Sequence, residues 1–247
     1  MGFCFMLAIL FSHFLTFSVS VLFEGNMIKS FSLLLLPIVF IFSTFVSAQP
    51  ELDTTFSSSG STILTFGTIG TWQDMVVQHD NKTVFVGACN NIGSIYPFCL
   101  FRLNENGTLD QSFDAGQGHP GYVFTSIPGN PSSASIGGIA LENDGKLVAV
   151  GSGSGQIILV RYNSNGTLDT SFATNGILQS NLVGNATVGK ILIQPDGKYV
   201  IVGSSSSSIL TQHVARFLPD GTPDTSFGSG GVTAINIAGN QSIGVSI

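Results

Sequence analysis

Beyond residue 49 the apolar residues come in short runs bounded by Gly, Asn, Asp and Ser, and no stretch repeats apolar positions at helical spacing over ten or more residues. Runs of that length with that punctuation predict strands and tight turns. Between Phe172 and Asp224 the pattern predicts four strands, Gly176 to Ser180, Val188 to Gln194, Lys198 to Gly203 and Thr211 to Leu218. The Asp196-Gly197 pair between the second and third predicts a two-residue hairpin turn, because such turns need positive φ.

The same pattern recurs along the chain. Leu52-Asp53-Thr54-Thr55-Phe56, Leu109-Asp110-Gln111-Ser112-Phe113, Leu168-Asp169-Thr170-Ser171-Phe172 and Pro223-Asp224-Thr225-Ser226-Phe227 place their aspartates 57, 59 and 55 residues apart. A second mark, Asp80-Asn81-Lys82, Asp144-Gly145-Lys146 or Asp196-Gly197-Lys198, opens an apolar run closed by Gly87, Gly151 or Gly203. A third is an apolar stretch holding Arg102, Arg161 or Arg216, followed by Asn106-Gly107, Asn165-Gly166 or Asp220-Gly221. Four-stranded antiparallel units of this size cannot bury both faces alone, and stacking them radially gives a β-propeller. The expected fold is all-β, with units over about 56–110, 113–169 and 172–224 and a partial one over 227–247. Three and a third copies are fewer than a ring needs, so an incomplete propeller is expected.

The motifs resemble the delta-60 repeat, a β-propeller family, most closely in Ile193 to Lys198, Val214-Ala215-Arg216 and Pro223 to Gly231. The first unit departs most, with His79 and Asn81 in its turn and a longer hairpin carrying two cysteines. The resemblance spans roughly residues 50–247 and implies a fold; its motifs carry no catalytic residue.

Two apolar stretches, Phe3 to Phe23 and Phe31 to Val46, precede the repeats. Met27-Ile28-Lys29, the apolar run and Val46-Ser47-Ala48 supply the three regions of a secretory signal over residues 27–48, with cleavage between Ala48 and Gln49. Residues 1–26 then read as an upstream mis-start or an extra hydrophobic segment. The alternative is a membrane hairpin of both stretches, and an uncleaved leader is the one expected link to a membrane. The 43% hydrophobic content is concentrated in this leader, and the formal charge of −6 is spread thinly behind it. With no basic patch, nucleic acid is not an expected partner. A secreted or cell-envelope location follows, where Cys89 and Cys99 can be bridged across a hairpin if Val86 lies opposite Arg102; two separate buried thiols are the alternative.

Candidate chemistry is sparse. Asp53, Asp110, Asp169 and Asp224 read as turn aspartates bonding the backbone two residues on, each followed by a phenylalanine (Phe56, Phe113, Phe172, Phe227) that plugs between blades. Arg102, Arg161 and Arg216 recur inside apolar strands and need a recurring carboxylate or carbonyl. Among the residues after the leader no catalytic, metal or phosphate-binding motif appears, so no catalytic, metal or cofactor-binding residue and no cofactor is expected. Five N-glycosylation sequons are present, at Asn81, Asn106, Asn165, Asn185 and Asn240.

The turns joining the second strand to the third and the fourth to the next first strand repeat closely, while the other connections vary: Gly67 to Thr71, Thr125 to Ser135, Asn181 to Thr187, Ala88 to Pro97, Ser152 to Gln156 and Ser204 to Leu210. Variation confined to one face of a repeat protein marks a binding surface. The expected function is therefore a non-catalytic, exported binding or scaffold module for a protein or glycan partner. The alternative is the N-terminal part of a propeller hydrolase or lyase whose catalytic loops lie in other blades.

Overall fold

The computed structural model describes residues 51–57, 59–63, 70–91, 94–129, 134–206 and 210–235. The expected leader, the expected cleavage point between Ala48 and Gln49, Asn240 and the expected partial unit beyond residue 235 lie outside them.

Among the described residues twelve strands form three four-stranded antiparallel sheets. The first sheet is β1 (Gly70–Val77), β2 (Thr83–Asn91), β3 (Ser94–Leu103) and β4 (Tyr122–Thr125). The second is β5 (Ser135–Leu141), β6 (Leu147–Gly153), β7 (Gln156–Tyr162) and β8 (Ile177–Ser180). The third is β9 (Ala186–Ile193), β10 (Tyr199–Ser206), β11 (Leu210–Phe217) and β12 (Val232–Ile235). The first strands adjoin, β1 against β5 and β5 against β9, the arrangement of blades fanned about an axis. These are β-propeller blades.

Stacking explains the uninterrupted apolar runs. Every residue of β6 is buried because the strand faces a neighbour on both sides. Leu147 and Ala149 pack with Val84, Val86, Phe98 and Leu100 of the first blade, whereas Val148 and Val150 pack with Ile191, Tyr199 and Ile201 of the third.

The sequence repeat and the blade differ in phase by one strand. Of residues 176–180, expected to open the third unit, Ile177–Ser180 form β8 and pair with β7 of the second blade. The outermost strand of each blade thus follows the Asp-x-Ser-Phe motif, so the motif lies inside a blade. The Asp-Gly turns also differ from the expected two-residue form. Gln78, Glu142 and Gln194 each donate N–H to the carbonyl of the lysine four residues on, at 2.8 Å, closing a three-residue loop. Its last residue is left-handed: Asn81 at φ 63°, Gly145 at 88° and Gly197 at 82°. The aspartate side chain accepts the lysine N–H, which favours this turn.

The run-closing glycines have a steric cause. Each inner strand bulges at its middle, between Trp72 and Asp74, Ile136 and Gly138, or Val188 and Lys190, and the chain beyond the bulge presses on the second strand. A Cβ on Gly87, Gly151 or Gly203 would collide with the carbonyl oxygen of Thr71, Ser135 or Thr187.

Cys89 and Cys99 form a disulfide with Cα atoms 5.9 Å apart. The register differs from the one assumed: Val86 lies opposite Leu100 and Val84 opposite Arg102. An irregularity between Gly87 and Cys89 puts Cys99 opposite Gly87, so the bridge runs diagonally. The ladder continues to Asn91 opposite Ser94, so most of the expected Ala88 to Pro97 loop is strand.

Gly151→Ala is expected to lower the unfolding free energy by about 1–3 kcal/mol, the range for overpacking a tight site. The paired substitution of Cys89 and Cys99 by Ser is expected to cost about 2–3 kcal/mol through loss of a short-loop crosslink. Urea unfolding of each variant against the parent measures both.

Candidate functional site

The repeated residues converge on one arrangement, built three times. In the first blade, Asp110 Oδ1 accepts the Ser112 N–H at 3.0 Å and its hydroxyl at 2.6 Å. Oδ2 accepts Arg102 Nε and Lys82 Nζ, both at 2.8 Å. The Arg102 guanidinium carbon lies 4.5 Å from the centre of the Phe113 ring. Nη1 then leaves the blade and donates to the Ser164 carbonyl of the second blade at 2.7 Å. The second copy has Arg161 Nε on Asp169 Oδ2 at 2.8 Å, Phe172 at 4.5 Å and Nη1 on the Pro219 carbonyl of the third blade at 3.0 Å. The third has Arg216 Nε on Asp224 at 2.9 Å and Phe227 at 4.5 Å.

Local sequence sets this geometry. The motif follows the turn after each blade's third strand, where Asp110, Asp169 and Asp224 donate N–H to the carbonyl of their own arginine at 2.9 Å. Phe113 and Phe172 fit against the next blade because Gly166 and Gly221 carry no Cβ there. Burial of Asp110 pushes its carboxyl upward, but the bonds from Lys82 and Ser112 and the charge of Arg102 outweigh that and hold it far below the usual carboxylate range. Asp169 is lowered in the same way, burial again opposing its Ser171 bonds and Arg161. Asp224 is lowered to about 2, chiefly by the Ser226 hydroxyl, with burial opposing and Lys198 and Arg216 assisting. A carboxylate committed to serine, lysine and arginine has no free lone pairs for a metal. Among the described residues no group of three or more His, Cys, Asp or Glu side chains is placed to hold a metal ion.

Asp53 and Phe56 carry half of a fourth clamp. Asp53 accepts the Thr55 N–H at 2.9 Å and its hydroxyl at 2.5 Å, and Phe56 fills the space beside Gly107.

Two features escaped the sequence reading. Asp74 on β1 reaches over Gly138 on β5, accepting the Ile139 N–H at 3.0 Å and Lys190 Nζ of β9 at 2.9 Å. One carboxylate thereby ties the inner strands of three blades. Asp74 and Lys190 lie in different repeats and share no motif, although each sits at the mid-strand bulge. The second feature is Ser205, whose hydroxyl lies 2.7 Å from His213 Nε2 at the seam between the second and third blades. Among the described residues His213 Nδ1 is buried with no hydrogen-bond partner, and no carboxylate meets it as one meets the histidine of a catalytic triad. Burial lowers the His213 pKa.

The regular turns hold the clamps at one end of the blades, and the varied connections lie at the other. There the chain between β4 and β5 runs 126–134 and that between β8 and β9 runs 181–185. Gln179 Nε2 donates to the Pro128 carbonyl at 2.8 Å and fastens the longer one to the second blade. Two open grooves among the described residues, of about 330 and 500 Å³, lie at the clamp end.

Asp110→Asn is expected to destabilise by about 3–5 kcal/mol, because it leaves Arg102 buried without its anion. Asp224→Asn is expected to cost less, since the Arg216 side chain is 20% exposed against 7% for Arg102. Stability should fall in two acid steps. The His213 contribution is present at neutral pH and is lost as pH drops below about 6.5, the unfolded value. The clamp contribution is complete above about pH 5 and lost as pH falls through 4 toward 2. Urea midpoints across pH, repeated on His213→Gln, measure both; only the upper step should vanish in the variant.

Sequence comparison matches three segments, residues 78–113, 142–172 and 194–227, to a family described as "Domain of unknown function (DUF5122) beta-propeller". A comparison with curated proteins finds no match. Sixteen solved chains are similar in structure. A protein of unknown function from Bacteroides caccae has 10% identity and a TM-score of 0.39 over 62% of this chain and 44% of its own. A putative gluconolactonase has 14% identity and a TM-score of 0.36 over 61% and 45%. PorZ, a bacterial surface component of the type-IX secretion system of Porphyromonas gingivalis, has 11% identity and a TM-score of 0.36 over 61% and 20%. The chain spans less than half the length of each of these structures. Each matched segment begins at the turn after a blade's first strand, takes in its second and third strands and ends on its clamp phenylalanine, so the matched unit is the middle hairpin of a β-propeller blade together with its clamp.

Proposed function

We propose that this chain is an exported, non-catalytic β-propeller segment that binds a protein or glycan through the face bearing the varied connections. The observation that carries the reading is the contrast between the two ends of the blades. At the clamp end every turn closes with the same bonds: the first turns at 2.8 Å, and Asn104, Asn163 and Leu218 N–H to the carbonyls of Thr108, Thr167 and Thr222 at 2.8 Å. At the other end the β2–β3, β6–β7 and β10–β11 hairpins are short, but the connections between blades differ in length, 126–134 against 181–185, and they present exposed Pro128, Asn181 and Asn185. A rigid scaffold with variation confined to one end is how loops acquire binding specificity. The disulfide supports an oxidising compartment, and so export.

The test is an array of glycans and extracellular proteins probed with the full chain. Pro128→Ala with Asn181→Ala is expected to weaken a retained ligand about tenfold, whereas Asn143→Ala at the clamp end leaves it unchanged. Binding that responds to Asn143 and ignores the other face would overturn the assignment of the surface.

A further inference from the structure

Among the described residues the fourth clamp is half built, and the other half has a definite chemistry. The segment from Leu52 to Ile63 repeats the backbone pattern of the three complete copies. Phe56 N–H donates to the Asp53 carbonyl at 3.0 Å, Ser57 N–H to the Asn106 carbonyl at 2.8 Å and Gly60 N–H to the Phe56 carbonyl at 2.8 Å. The second copy has Phe172 to Asp169 at 3.0 Å and Gly176 to Phe172 at 2.8 Å, and the first has Asp114 to Asn165 at 2.8 Å. Gly60 is left-handed at φ 74°, as are Gly176 at 89° and Gly231 at 103°. The segment is therefore already folded into the receiving shape.

Four positions on it stand unmet among the described residues, and in the complete copies one strand meets all four. Asp53 Oδ2 has no arginine or lysine, where Asp110, Asp169 and Asp224 each have both. Leu52 is 70% exposed, whereas Leu109, Leu168 and Pro223 bridge to Leu103, Tyr162 and Phe217, each the residue after the clamp arginine. The Gly60 carbonyl corresponds to those of Gly121, Gly176 and Gly231, which accept the N–H of Arg102, Arg161 and Arg216. Residues 61–63, with Ile63 91% exposed, correspond to the outer strands β8 and β12; Thr62 Oγ1 donates to the Gly107 carbonyl at 2.8 Å, but among the described residues no strand pairs with their backbone. Beside Asp53 a groove of about 500 Å³ runs past Lys82 to Glu105, whose carbonyl stands where Ser164 and Pro219 receive the arginine Nη1.

We infer that Leu52–Ile63 is a preformed docking site for one extended strand of the pattern apolar-Arg-apolar. The incoming strand runs antiparallel to residues 61–63, its arginine stacks on Phe56 and bonds Asp53, and its next residue covers Leu52. This is strand addition, with ladder bonds supplying affinity and one side chain supplying selectivity. A second intact copy is a poor occupant, because Arg102, Arg161 and Arg216 are all engaged on their own aspartates. The occupant is a strand of this repeat type whose arginine is not already clamped.

A synthetic peptide of residues 210–218, which holds Arg216 and Phe217, serves as the probe, titrated into the full chain by fluorescence anisotropy. Binding is expected, weakened about tenfold or more by Asp53→Asn in the protein and by Arg216→Ala in the peptide, the loss typical of one charge-assisted bond. Leu52→Ser should weaken it without moving the thermal midpoint. A folded chain that fails to bind the peptide would overturn the inference. So would binding indifferent to both Asp53→Asn and Arg216→Ala, since the peptide would then be displacing β11 or adhering nonspecifically.

Discussion

A guanidinium taken out of water must be met on each of its faces, and that requirement organises this protein. Arg102 is the clearest case. Its Nε is taken by Asp110, its Nη1 by Gln78 and the Ser164 carbonyl, and its flat face by Phe113. Two of those groups belong to the motif after the third strand, one to the first strand's end and one to the next blade. Meeting the charge therefore fixes the motif, the sheet and the neighbouring blade together. Apolar contact between sheets tolerates sliding, whereas a fork of directional bonds does not, so the clamps set the register in which the apolar faces meet.

At the middle of the blades a different constraint acts. Each inner strand carries a bulge that turns it more sharply than its neighbours, and the second strand accommodates this with a glycine. The space left at Gly138 is then used by Asp74 to reach Ile139 and Lys190. The blades are thus tied by charge at two places, at the clamps and at the inner strands, with apolar packing between. The third clamp is the most open: among the described residues Arg216 bonds Asp224 and Ser226 of its own blade and no group of another.

What the sequence revealed followed from repetition. Asp110, Phe113 and Arg102 recur with their partners, so their kinship as one structural unit and the four-stranded sheet were readable. The phase of the blade was not, because a repeat has no intrinsic starting point: β8 follows Phe172 in sequence but hydrogen-bonds backward to β7. The turn type was misjudged because Asp-Gly suits both two- and three-residue loops, and the choice rests on a lysine N–H bonding the aspartate. The diagonal cysteine bridge depended on an irregularity at Ala88 that no residue type announces. Asp74 and Lys190 meet once, without repetition, and so left no signal at all.

A scaffold made rigid at one end leaves the other free to vary, and the binding role proposed for the varied face follows from that division. Its foundation is the claim that arginines hold blade to blade, and the exchange of guanidinium protons with solvent, followed by nitrogen-resolved NMR, tests it most directly. Slow exchange is expected for the Nε protons of Arg102, Arg161 and Arg216, and at Nη for Arg102 and Arg161, whose Nη1 groups bond the next blade, but not for Arg216. Nη protons of Arg102 and Arg161 that exchange as fast as those of Arg216 would contradict it.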